Sequence, residues 1–185
     1  MTEPGGAVTV EPGVGISEGV DGEWRTHANE VEERVQRHAD RIAGVWEGCG
    51  NATGLSADLT GVIPRARLRA GREDAEDLAR RVYRGLPFEI RLHKARKLRG
   101  VWYEALFRDI ARRRGGMSML RGPRERMRWH VEELALELEA GLGEVRRAHA
   151  LTGSAGRCCE YDFLWVDYLL VTDDWVVVLH VGELD

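Results

Sequence analysis

The stretch that decides the fold runs Tyr161-Asp-Phe-Leu-Trp-Val-Asp-Tyr-Leu-Leu-Val-Thr172, then Asp173-Asp174, then Trp175-Val-Val-Val-Leu-His-Val181. Two runs dense in β-branched and aromatic residues flank a pair of turn-forming residues, the pattern of a β-hairpin over residues 160–182. With Asp173-Asp174 as a two-residue turn, Thr172 pairs with Trp175 and Leu170 with Val177, so Asp167 falls opposite His180. Both then lie on the face shared by Leu169, Val171, Val176 and Val178. A hairpin alone is not stable in water. This one must pack on helices, pair with another strand (8–10, 59–63 and 88–92 are the candidates), or pair along its edge with a second copy.

Upstream the periodicity is helical. Trp24, Ala28, Val31, Val35, His38, Ile42 and Val45 recur at alternating steps of four and three, giving a helix over 23–47 with one narrow apolar seam. Such a seam suits a single partner helix, inside the fold or in a homodimer. A short helix is expected over 72–86, with Glu73, Asp74, Glu76 and Asp77 early and Arg80, Arg81 and Arg84 late, matching the helix dipole. Two more are expected over 94–114 and 123–150. The last carries its seam through Met127, Val131, Leu134, Leu138, Leu142, Val145 and His149. Residues 1–22, rich in Gly, Pro and Glu, read as a flexible tail, and 51–71 as a loop. The expected class is α+β: four helices with a small antiparallel sheet built on the hairpin, in one domain over 23–185.

Composition bounds the function. A 185-residue chain that is 43% hydrophobic and 31% charged is not wholesale disordered. Its longest apolar run, Trp175–Leu179, is far short of the ~18 residues a membrane span needs, so no membrane partner is expected. The first residues lack the basic and apolar regions of a secretory signal, which makes the cytoplasm the expected location. Cys49, Cys158 and Cys159 are odd in number and two are adjacent, the mark of reduced thiols. Lys94 and Lys97 are the only lysines; the Arg, Ala and Gly excess is that of a GC-rich bacterial genome.

That excess does not explain where the arginines sit. Residues 65–128 hold twenty basic and eight acidic side chains, net +12, while the segments before and after carry −7 and −9. The clusters that would bind a polyanion are Arg96, Lys97 and Arg99, then Arg112, Arg113 and Arg114, then Arg121, Arg124, Arg126 and Arg128, with Trp102, Tyr103 and Trp129 nearby. The simplest alternative lays acidic helix 123–150 and the acidic hairpin against this segment, so that Arg–carboxylate pairs absorb the charge.

Two constellations carry possible catalysis. Asp167 facing His180 is half of a triad if a nucleophile such as Cys158, Cys159 or Ser154 stands beside it, and otherwise a satisfied buried pair. Arg124 and His130, with five residues between them on a helix, resemble the Arg-x(4–6)-His element of HEPN ribonucleases, which implies phosphate positioning and proton transfer; the hairpin sets this chain apart from that all-helical family. No metal-ligand spacing and no phosphate-binding Gly loop occurs, so no metal and no cofactor is expected. The expected function is therefore that of a non-enzymatic interaction or accessory protein with a protein partner, acting through its segregated charge and the hairpin edge. The alternative is nucleic-acid binding, in the manner of a ribonuclease, by residues 65–128.

Overall fold

A computed structural model describes residues 18–48, 54–65, 74–84, 90–113, 121–155 and 165–184. The elements are α1 (Glu18–Glu47), β1 (Gly54–Pro64), α2 (Ala75–Arg84), β2 (Ile90–Lys97), α3 (Trp102–Arg113), α4 (Arg121–Leu142), β3 (Arg147–Ala155), β4 (Trp165–Val171) and β5 (Trp175–Leu184). The class is α+β, with four helices and an antiparallel sheet ordered β1-β5-β4-β3-β2 among the described residues. None of the described helices is long and apolar enough to cross a membrane.

The hairpin forms in the expected register. Leu170 pairs with Val177 and Asp167 with His180, and the Thr172 amide donates to the Trp175 carbonyl at 2.9 Å. Asp-Asp is a weak turn pair, and the surroundings supply what it lacks. Thr172 Oγ1 accepts from the amides of Trp175 (2.9 Å) and Asp174 (3.3 Å), a hydroxyl-closed turn. Arg146 grips the Asp173 carboxylate at 3.1 Å, and Arg65 donates to the carbonyls of Thr172 and Asp173.

Both faces of the sheet are buried, because strand alternation sends apolar residues each way. Tyr168, Leu170, Val177, Leu179 and Val181 face a layer made by α1, α3 and α4. Leu151, Leu169, Val171, Val176 and Val178 face α2, which contributes Leu78, Ala79, Val82 and Tyr83. The hairpin occupies the centre of the sheet, with β1 on one flank and β3 on the other. Its edges are therefore already hydrogen-bonded, and neither is open to a second copy. The α1 seam is occupied too: Val31, Val35, His38 and Ile42 are buried, and α1 packs on α4 and β1. Homodimerisation through either surface has no free face to use.

Several boundaries differ from expectation. Residues 54–64, within the stretch read as loop, form β1, which extends the candidate strand 59–63 toward the N-terminus. Residues 94–97 are strand: they pair with β3 through Thr152, Leu151, Ala150 and His149, and Gly100, at φ 78°, turns the chain before α3 begins at Trp102. Likewise α4 stops at Leu142, where Gly143 adopts φ 87° and its amide donates to the Glu139 carbonyl at 2.9 Å, a left-handed helix stop. Residues 147–150, read as helix, are the start of β3, so His149 belongs to a strand. Residues 18–22, read as tail, are the first turn of α1. The candidate strand 8–10 lies outside the described residues.

The two sheet edges are treated differently. Along β1, α1 supplies a side-chain substitute for a neighbouring strand. Gln36 Nε2 donates to the Leu55 carbonyl (3.2 Å), its Oε1 accepts from the Ala57 amide (2.7 Å), and Glu32 accepts from the Leu59 amide (3.2 Å). At the other end, among the described residues, β2 pairs with β3. A bulge at His93 interrupts it, between the Leu92–Gly153 and Lys94–Thr152 pairs.

Candidate polyanion-binding face and the buried Asp–His pair

The bulge decides which way the side chains of β2 point. Before it, Ile90 and Leu92 join the α2-side core, and after it Ala95 does. Arg91, Lys94 and Arg96 pair with Ser154, Thr152 and Ala150, and Ala150 packs toward α1, α3 and α4. Those three cations thus share the opposite face. Thr152 and Ser154 accompany them, and all five of these polar side chains are exposed. His93, the extra residue, bonds through Nε2 to Ser154 Oγ at 3.0 Å. Lys97 and Arg99, also exposed, continue the basic run. Arg91, Lys94, Arg96, Lys97 and Arg99 form no ion pair with any described residue.

On α2, Arg80 pairs with Glu76 (2.9 Å) and Asp77 (3.0 Å), and the other expected clusters lie on or beside α3 and α4. Arg112 and Arg126 are exposed and form no ion pair with a described residue. Arg113 ends α3, and Arg114 lies outside the described residues, as do Arg67 and Arg69. Arg121 pairs with Glu125 at 2.8 Å. Arg128 pairs with Glu104 and, at 3.3 Å, with Glu132, which hold its guanidinium above its ordinary pKa. Arg124 and Arg128 both sit near the ring of Phe107, Arg124 with its guanidinium carbon 5.7 Å from the centroid. Internal neutralisation therefore operates in part at the α3–α4 junction. It does not reach β2: the acidic helix directs Glu137 to Arg34 of α1 and Glu139 to the Trp102 indole.

Arg124 and His130 do not converge. Arg124 faces Phe107 of α3, whereas His130 faces His38 of α1, with ring centroids 6.4 Å apart. Residues six apart on a helix are separated by roughly 240° of rotation, which explains the split.

Asp167 and His180 do meet. His180 Nδ1 lies 2.7 Å from Asp167 Oδ1, and the Tyr83 hydroxyl donates to Oδ2 at 2.5 Å. Asp167 is 0% exposed and His180 3%. Asp58 on β1 is in register with His180 on its other side. The network ties α2 to the two central strands and satisfies a carboxylate with no access to water. Ser154 cannot serve as its nucleophile, because it lies on the opposite face of the sheet, bonded to His93. Cys49, Cys158 and Cys159 lie outside the described residues.

Sequence reasoning placed Asp167 against His180 through the turn. It missed Tyr83 and Asp58, which approach through tertiary packing alone. The basic cluster over Arg91, Lys94, Arg96, Lys97 and Arg99 was visible in the sequence; that Arg91, Lys94 and Arg96 share a face was not, because the bulge breaks the alternation. No group of three or more metal-ligating side chains occurs among the described residues. Comparison with protein-family models, curated proteins and solved structures finds nothing that matches this chain.

Proposed function

We propose that this chain is a non-enzymatic accessory protein that binds an anionic partner on the face built by β2 and the end of β3. The observation that carries this reading is the set of three exposed cations that share this face, Arg91, Lys94 and Arg96, with no ion-pair partner among the described residues. Like charges held on one short strand repel each other, and an opposing polyanion relieves that repulsion. The reading is sharpened by the net charge of −4. A chain of that overall charge has no general attraction for polyanions, so any attachment reports a local patch.

The test is retention on immobilised heparin. The wild-type protein is expected to bind at low salt and elute as salt rises, and the Lys94→Glu/Arg96→Glu variant to pass straight through. Flow-through of the wild type, or equal retention of the variant, would defeat the proposal.

A further inference from the structure

We infer that the anionic partner is a nucleic-acid duplex, gripped through its phosphodiester backbone without regard to base sequence. This rests on the reading just given and adds the chemistry of the partner. Three features of the face select it.

The first is the absence of an apolar anchor. Protein–protein interfaces draw their affinity from a desolvated apolar or aromatic centre. The exposed large hydrophobics among the described residues are Val101, Trp129 and Leu136, one at the start of α3 and two on α4. The β2–β3 face instead presents Arg91, His93, Lys94, Arg96, Thr152 and Ser154, a field of hydrogen-bond donors. Guanidinium, ammonium and hydroxyl groups are the side chains that contact phosphate and sugar, and such contacts carry no sequence information.

The second is the guarding of the edge. An acidic peptide would most readily enter by adding a strand to β2. The bulge at His93 breaks the ladder it would need, and Lys94 and Lys97 follow that break. Bulges and edge lysines are the devices by which sheets refuse an added strand. The cations act from the flat of the sheet, not from its rim.

The third favours a duplex over a single strand. The one aromatic ring described on this face is the His93 imidazole, held by Ser154 Oγ, and no indole, phenol or phenyl ring stands there to make a stacking platform for unpaired bases. Charge density is then the remaining lever, and a duplex carries one phosphate per ~1.7 Å of axis.

The experiment is fluorescence anisotropy with the full chain and three probes: a short labelled DNA duplex, the corresponding single strand, and polyglutamate of matched charge as competitor. Three phosphate contacts predict a loss of affinity of roughly 40-fold between about 50 and 200 mM salt. The Arg91→Ala/Lys94→Ala/Arg96→Ala variant should flatten the log–log salt slope by about 2.7, whereas Lys94→Arg should bind as the wild type does. Two duplexes of unrelated sequence should bind equally. All three substituted positions are exposed, and an unchanged thermal melt establishes that the variants are folded. Displacement of the duplex by matched polyglutamate, or tighter binding of the single strand, would overturn the inference while leaving heparin retention intact. Loss of heparin retention would remove the underlying reading instead.

Discussion

His38 is 6% exposed, and its Nδ1 has no hydrogen-bond partner; the buried Nδ1 of His130 across the helix contact has none either. Burial lowers the pKa of both imidazoles. Arg41 and Arg37 lower His38 further, and His38, Arg41 and Arg126 lower His130 further, against opposing pulls from Glu133 on both and from Glu137 on His38. The folded protein thus prefers these histidines neutral, and the unfolded chain binds more protons once pH falls below ~6.5. Their contribution to stability is intact above that value and is lost as pH drops toward the depressed folded values. His149, lowered by burial and by Arg147 and Lys97, adds with the same sign. Replacing His38 with Leu removes an unsatisfied buried nitrogen and one of the titrating rings. We expect the His38→Leu variant to be more stable by about 1 kcal/mol at pH 7.5 and to lose less stability on going to about pH 5.5. Urea midpoints at the two pH values check this; an unchanged acid-side loss would show that the α1–α4 contact does not sense protons.

At the scale of elements, α1 and α4 approach so closely at one point that only glycine fits. A Cβ on Gly141 would lie 2.3 Å from Val31 Cγ2. Val31 is fully buried and, being β-branched in a helix, has little rotameric freedom to yield. His27 Nε2 bonds the Gly141 carbonyl at 2.7 Å and fixes the same crossing. Gly141→Ala, usually favourable within a helix, should therefore destabilise the fold by about 1–3 kcal/mol, read from chemical denaturation. A neutral or stabilising result would mean the helices can slide apart at no cost. Such contacts also explain where sequence reading stopped. The hairpin was legible because its β-branched run and turn are local signals, and α1 because its seam spans several turns. Strand β3, Arg147-Ala-His-Ala-Leu-Thr-Gly-Ser-Ala155, has no local claim to be a strand. Its alanines extend a helical pattern, and only pairing with β2 and β4 makes it extended. Of the site, the arginine cluster was visible by composition; its facing was not, because one extra residue at His93 reverses the pleat.

For the whole molecule, the sheet order sets a gradient of protection. Strands β4 and β5 have hydrogen-bonded neighbours on both flanks and a helical layer on each face. Amides of Leu169–Val171 and Val176–Leu179 should exchange with solvent only through global unfolding, and those of β2 through local opening. Hydrogen-exchange mass spectrometry resolves the two, and equal protection of β2 and β5 would contradict this layering. The same arrangement polarises the molecule. Exposed Glu30 and Glu33 lie on α1, which covers the β1 end, while the unpaired cations stand at the β2 end. An approaching polyanion is thus met end-on by β2.

Gln36 and Glu32, by occupying the outward backbone groups of β1, also limit what misassembly can produce. Fibrils grow because every added chain presents a fresh edge to the next. Here Gln36 and Glu32 hold the outward groups of Leu55, Ala57 and Leu59, so along that stretch of β1 an arriving native copy finds its hydrogen-bonding sites already taken.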